Sequence, residues 1–423
     1  MSLQGPMIVV AETPAPDVVQ ALSAAGAFPI IETNWADAPT AFVAVKPAAV
    51  VIAEPGPPPS EASARMLSLQ IATAAGPVVP TIARVTSTQD ITLPIALPND
   101  AALPLDHLVI RLRSALRVRA LHDTVLRRIE MYSAHGGKVP ALPVGDALDD
   151  ATVMIVGRGP LYPALSVAVG ERFGMLGALS VETAARNLSA REINGIVIGD
   201  GFSQRMIEAF LTVVAHDPQY RDIPVAVLGD VPPDFTEWLP NVDHVERDPA
   251  RVVARMVPLV RLHAFETRLK RMLKALDAKG MFDPETGLLT RECFWRDLAK
   301  VVSDAAERGS ALSVARFSFD TPVDRRLGMD GGRQVVRMMR NIDFGCRDED
   351  GSFIVAFTQT ALREAHVVSR RIAGALKSTV APGDKGRISA NVTLATLKAN
   401  DTLDTLMVRV MGSRAVAAEL TAT

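Results

Sequence analysis

"RNIDFGCRDEDGSFIVAF", residues 340–357, opens with an arginine and an aspartate three positions apart, Arg340 and Asp343. An acidic run, Asp348-Glu349-Asp350, then meets Gly351, and an apolar stretch follows. The Asp350-Gly351 pair is a strong tight-turn signal, so the segment reads as a β-hairpin with an acidic tip. Two chemistries are on offer. An arginine fork beside a carboxylate can hold a planar or anionic ligand, or the two can be a solvated ion pair. An acidic tip can hold a metal ion, or it can be a plain solvated turn.

Working outward, the C-terminal block shows a helix around "RECFWRDLAKVVSDAAE", a strand "ALSVARFSF", the hairpin, a helix "REAHVVSRRIAGAL" and a later strand within "RISANVTLATL". That is a mixed α/β set from about residue 279 to 423. Upstream, two blocks share one plan. In the first, "MIVVAE" and "AAVVIAEPG" read as buried strands around a helix "PDVVQALSAAGA". In the second, "TVMIVG", "INGIVIGDG" and "DIPVAVLGD" do the same. Short apolar strands alternating with helices imply parallel α/β sheets. Each block ends in a long basic helix, at 106–134 and 251–276, read as a rigid connector or dimer seam. "HGGKVPALPVGDALDD", 135–150, carries the glycines and prolines of a linker. The division is therefore 1–135, 136–278 and 279–423.

Composition narrows the partners. With 423 residues the chain has room for about three domains. A net charge of −2 argues against a broad electrostatic grip on nucleic acid or an anionic membrane. Two cysteines, Cys293 and Cys346, do not make a disulfide framework and favour a reducing compartment. No apolar run reaches the roughly 20 residues of a membrane helix, and the N-terminus has no signal-peptide pattern. The expectation is a soluble, cytoplasmic protein.

"DPETGLLTRECF", 283–294, resembles the opening of GGDEF domains, the diguanylate cyclase family, with Asp283, Thr286, Gly287, Leu288 and Arg291 in register. Residues 340–353 lie where that family has an RxxD motif followed by its GGDEF turn. The upstream blocks resemble flavodoxin-like response-regulator receiver domains. The implied fold class is α/β: two receiver domains followed by a nucleotidyl-cyclase-like domain.

The resemblance also shows what is missing. A cyclase needs hard oxygen ligands for divalent metal beside the triphosphate. In "SFDTPVDRRL" the family's metal aspartate becomes Ser318, its phosphate-side lysine Val323, and its guanine-contacting asparagine Arg326. Asp320 matches the motif's second aspartate and is not read as a substitute ligand. At the turn, the family's glycines become Glu349 and Asp350, its two acids become Gly351 and Ser352, and Phe353 persists. The expectation is an inactive cyclase with no catalytic residues, no metal and no resident cofactor.

The RxxD pair survives. In the family it binds cyclic di-GMP, and Arg371 falls without a gap on a helix arginine that completes the site. Cyclic di-GMP is thus the implied regulatory ligand of Arg340, Asp343 and Arg371. The receiver resemblance brings no phosphorylation chemistry: the phosphoacceptor positions hold Ala53 and Gly199, with incomplete acidic pockets around them. Beyond the ligand, the resemblance implies a dimeric adaptor that recruits protein partners. Protease adaptors and substrates of ClpXP, at a bacterial cell pole in cell-cycle control, are the implied class. Two alternatives stay open: a nucleotide-independent dimeric scaffold, told apart by absent ligand binding, and a residual cyclase, told apart by product formed from GTP.

Overall fold

The computed structural model describes residues 3, 5–86, 93, 95–134, 145–228, 233–277, 280–319, 325–379 and 390–411. In the first block the strands are β1 (Met7–Val10), β2 (Ile30–Thr33), β3 (Ala49–Ile52), β4 (Thr81–Val85) and β5 (Leu97–Asp100). The helices are α1 (Pro16–Ala24), α2 (Ala38–Val45), α3 (Glu61–Thr73) and α4 (Leu105–Ala134). All pairings are parallel, in the order β2-β1-β3-β4-β5. β1 and β3 are buried at every position, as continuous apolar runs must be when both sheet faces are covered. β2 escapes the sequence reading because its four residues, IIET, are only partly buried at an edge.

The second block repeats the order. Its strands are β6 (Thr152–Val156), β7 (Gly174–Ala178), β8 (Gly195–Ile198), β9 (Val225–Val227) and β10 (Val242–His244). The helices are α5 (Tyr162–Gly170), α6 (Val181–Ala190), α7 (Gln204–His216), α8 (Pro233–Trp238) and α9 (Pro249–Asp277). Read from β7, the parallel sheet runs second, first, third, fourth, fifth strand, like the first sheet. This is the doubly wound order of flavodoxin-like folds. One face packs Phe210, Leu211 and Leu188 against β8, and the other packs α9 through Met256 and Val260. Of the linker segment, residues 135–144 lie outside the described residues, and 147–150 form one 3-10 turn.

Both sheets belong to one compact unit, Pro6–His122 with Ala141–Arg271. Within it the basic character of α4 is consumed internally. Arg111 is fully buried. Its guanidinium donates to Pro240 O at 2.9 Å, Val242 O at 2.8 Å, Asp243 Oδ1 at 3.0 Å and Pro98 O. Desolvation pushes the Asp243 carboxyl above the ordinary carboxylate value, with Arg111 and Arg255 pulling it down. A charge this deep persists only when paired and hydrogen-bonded.

The second unit comprises Met1–Gly5, Asp123–Pro140 and Met272–Thr423. It contains α10 (Arg291–Arg308), β11 (Leu312–Phe319), α11 (Arg325–Met338), β12 (Phe344–Arg347), β13 (Phe353–Thr358), α12 (Leu362–Thr379), β14 (Ala390–Thr396) and α13 (Leu403–Met411). From β11 to β14 the chain runs β-α-β-β-α-β, and the antiparallel sheet has the order β12-β13-β11-β14. That is the ferredoxin-like arrangement. The core is Phe317, Phe353, Phe357, Ile372 and Leu376, all essentially inaccessible. α11 docks closely because Gly332 has no Cβ; one added there would stand 2.5 Å from Thr286 Cβ.

Candidate ligand-binding site

The loop 283–289 shows why its residue types matter. Asp283 accepts from Glu285 N at 3.0 Å and from Thr286 Oγ1 at 2.7 Å, while Thr286 Oγ1 accepts from Leu288 N at 3.2 Å. Gly287 donates to Asp283 O at 2.8 Å with φ +75, a conformation that favours glycine. Leu289 then donates to Gly345 O at 2.9 Å, tying the loop to β12, and Leu288 fills the core. Arg291, at the start of α10, reaches Asp348 at 3.0 Å and Glu349 at 3.3 Å in the hairpin tip.

Arg340 sits between α11 and β12, and it closes on Asp343. Nε donates to Asp343 Oδ2 and Nη2 to Oδ1, both at 3.0 Å. The carboxylate also accepts from Arg340 N at 3.1 Å and Thr358 N at 3.2 Å. Four donors therefore fill its lone-pair directions. Arg340 Nη2 further donates to Thr358 O at 3.0 Å and to Thr360 Oγ1. Burial raises the Asp343 carboxyl above its usual value, and the Arg340 fork works against that rise. The Asp343 side chain is 2% exposed, but that of Arg340 remains 39% exposed.

Beside the pair lies a cavity of about 130 Å³ lined by Arg340, Asp343, Phe344, Arg128, Phe282 and Leu289. A cavity of roughly 150 Å³ takes up one benzene ring. The space thus suits a single ring edge, with any larger ligand lying outside on the exposed guanidinium. Arg128 is held over Phe282 at 5.4 Å and Phe344 at 5.9 Å, and it pairs with Asp297 at 3.2 Å. Arg371 is exposed on α12 and donates to Met338 O at 3.4 Å, two residues before Arg340. It does not line this cavity.

The acidic turn has a different arrangement. Asp348 N donates to Ser352 O at 2.8 Å and Gly351 N to Asp348 O at 3.0 Å, closing the hairpin with Gly351 at φ +84. Asp350 accepts from Ser352 N at 2.9 Å and Ser352 Oγ at 2.6 Å, and it pairs with Arg316. Burial works to raise its pKa, but the Ser352 donors and Arg316 outweigh it and leave Asp350 below the usual carboxylate value. Arg316 Nε also donates to Ser352 Oγ at 3.2 Å. Ser318 lies two residues further along β11, on the same strand face as Arg316. Arg326 is exposed on the first turn of α11. Asp320 and Val323 lie outside the described residues. Among the described residues, no group of three or more His, Cys, Asp or Glu gathers as a metal cage.

In the first block, Ala53 closes β3 with its N–H on Val10 O, and the next residue does the local chemistry. The Glu54 carboxylate accepts from Glu12 N at 3.0 Å, Thr13 N at 2.8 Å and the Thr13 hydroxyl. The Thr13 hydroxyl, with the two backbone donors, lowers the Glu54 pKa against a smaller effect of burial. In the second block, Gly199 packs against Gly157, and Asp200 O accepts from Arg158 N and Gly159 N, each at 3.2 Å. Arg158 leans over Phe202 at 5.5 Å.

Sequence reasoning placed Arg291 in the loop motif without its partners in the hairpin tip, and it passed over Arg316 and the Thr358–Thr360 corner. Arg316 had a signal: a lone charge inside an otherwise apolar strand asks for a buried or half-buried partner. The Thr358–Thr360 contacts had none, because they depend on how β13 ends beside Arg340.

No family model matches the chain, and no curated protein matches it. Several solved GGDEF-domain structures are similar. The coiled coil and GGDEF domain of DgcB from Caulobacter crescentus, in complex with c-di-GMP, is 18% identical over 37% of this chain and 88% of that one, with a TM-score of 0.29. The FimX GGDEF domain from Pseudomonas aeruginosa is 15% identical over 34% of this chain and 95% of that one, with a TM-score of 0.28. The diguanylate cyclase SiaD from Pseudomonas aeruginosa, in complex with its activator SiaC, is 19% identical over 37% of this chain and 65% of that one, with a TM-score of 0.30. At such low scores, the fold of the C-terminal unit rests on its strand order and connections. Among the described residues, no helix is long and apolar enough to cross a membrane.

Proposed function

We propose that this chain is a non-catalytic cyclic di-GMP effector whose GGDEF-like domain binds the dinucleotide through Arg340, Asp343 and Arg371. The observation that carries this reading is the Arg340–Asp343 pair, a half-exposed fork on a buried carboxylate beside a ring-sized cavity. Guanine can exchange into it bond for bond. Its N1 and N2 donors replace Arg340 Nε and Nη2 on Asp343, and the released fork meets O6 and N7 or a phosphate. Arg371, exposed on α12, is the further cation for the ligand's phosphates.

The cyclase turn supports the non-catalytic half. Arg316 is already the countercharge of Asp350 and donates to Ser352, so the acid of this turn is neutralised within the chain. The two upstream blocks, 1–135 and 136–278, are read as receiver-like domains that serve as docking modules, with 279–423 as the ligand-binding domain. Fold likeness does not supply their role. The layout resembles that of PleD and the adaptor PopA. By that likeness the chain is a cytoplasmic homodimer that recruits protein partners, among them protease adaptors and ClpXP substrates, at a cell pole.

A pull-down from bacterial lysate, with and without cyclic di-GMP, tests the output. Ligand should increase partner recovery, and Arg340→Ala should lose that increment while keeping its thermal transition. Coupling requires the ligand to favour the partner-binding state. The second reading is a nucleotide-independent dimeric scaffold. It is favoured by Asp343 being fully satisfied within the chain. Equal recovery by wild type and variant, with or without ligand, would select it.

A further inference from the structure

The unit that carries the two parallel sheets has a cavity of its own, with a volume of about 400 Å³. Its wall is mainly apolar, built by Ile71, Val79, Leu97, Leu262 and Phe265. Three polar features line it. Thr81, at the start of β4, lines the cavity and is 2% exposed. Its Oγ1 is buried and has no hydrogen-bond partner among the described residues. His122 accepts from Val78 N at 3.0 Å through Nδ1, which leaves its ring proton on Nε2. Its ring stands edge-on to Phe265, with centroids 5.0 Å apart at 89°. Arg261 and Asp146, paired at 3.0 Å, complete the polar side.

We infer that this cavity binds a small, neutral, mainly apolar molecule of two to three rings carrying one hydrogen-bonding group, with that group on Thr81. Volume sets the size. A dry cavity of roughly 150 Å³ takes up one benzene ring, so this one holds about two to three rings. Chemistry sets the polarity. Specific pockets combine an apolar lining with a few placed polar groups, and a buried hydroxyl without a partner carries a desolvation cost that a ligand removes. The Arg261–Asp146 pair is internally neutral, so nothing in the wall asks for a net charge. This site is separate from the Arg340–Asp343 pair and does not depend on cyclic di-GMP binding.

Titrating the full chain with 2-naphthol, followed by its fluorescence, and with naphthalene tests it. Expected is saturable uptake of one 2-naphthol per chain. Thr81→Val keeps the shape and should weaken 2-naphthol about fivefold, the worth of one hydrogen bond, while leaving naphthalene unchanged. Ala74→Phe, which fills the cavity, should abolish uptake of both, with the thermal transition confirming that each variant folds. Absence of saturable binding by wild type would overturn the site. So would 2-naphthol affinities that coincide between wild type and Thr81→Val.

Discussion

Arg340 and Asp343 are joined by two parallel hydrogen bonds, Nε to Oδ2 and Nη2 to Oδ1, each 3.0 Å long. The pair is held in place by Thr358, whose N–H meets Asp343 and whose carbonyl accepts from Arg340. A ligand at this site therefore has to trade places with the fork, and its affinity reports the exchange rather than a simple gain of contacts.

No cyclic di-GMP should form from GTP. Ser318, Gly351 and Ser352 supply no carboxylate, and Asp350 is engaged by Arg316 and Ser352. Incubation with GTP and Mg²⁺ or Mn²⁺, followed by chromatography, checks this. Sustained product that disappears on Asp350→Ala would show a working site.

Neither upstream block should take phosphate from a small phosphodonor. Ala53 and Gly199 have no carboxylate, and Glu54 is fixed by Glu12 N and Thr13. Intact-mass analysis in Mg²⁺ should show no shift of wild type. A stoichiometric acyl-phosphate adduct at either block would contradict the assignment.

Arg111→Met should destabilise the two-sheet unit by about 3–5 kcal/mol, because Asp243 would remain buried without its countercharge. Both side chains are essentially inaccessible, at 0% and 1%. Urea unfolding measures the loss. Replacing both residues, Arg111→Met with Asp243→Leu, should recover much of it, whereas a variant as stable as wild type would show the pair to be idle.

His107 gives that unit an acid sensitivity. Burial, and then the nearby Arg111 charge, lower its pKa from 6.5 to about 3. The unfolded chain takes up the proton first, so this stability is complete above about pH 6.5 and is lost as pH falls toward 3. One such group amounts to about 2 kcal/mol between pH 7 and 5. The stability difference between wild type and His107→Gln should narrow by that amount over the same range in urea titrations. An unchanged difference would mean that His107 titrates normally.

The strand runs were legible because full burial on both sheet faces demands unbroken apolar stretches, as in "MIVV" and "GIVI". The hairpin was legible for a different reason: Gly351 occupies a positive φ that its neighbours avoid. Edge strand β2 was hidden because partial exposure relaxes the pattern. The basic helix α4 showed its charge in sequence but not its destination. Arg111 spends that charge on carbonyls and an aspartate far away in the chain. The RxxD spacing was visible, while the Thr358 and Thr360 supports depend on tertiary contact alone.

Calorimetric titration of the full chain with cyclic di-GMP tests the central claim most directly. Wild type should bind saturably, and added salt should weaken binding where arginines meet phosphates. An arginine–guanine contact contributes about 1–3 kcal/mol, so Arg340→Ala should lose roughly 5- to 150-fold in affinity. Arg371→Ala should weaken binding as well. No heat of binding from wild type, or identical affinities for wild type and Arg340→Ala, would contradict the claim.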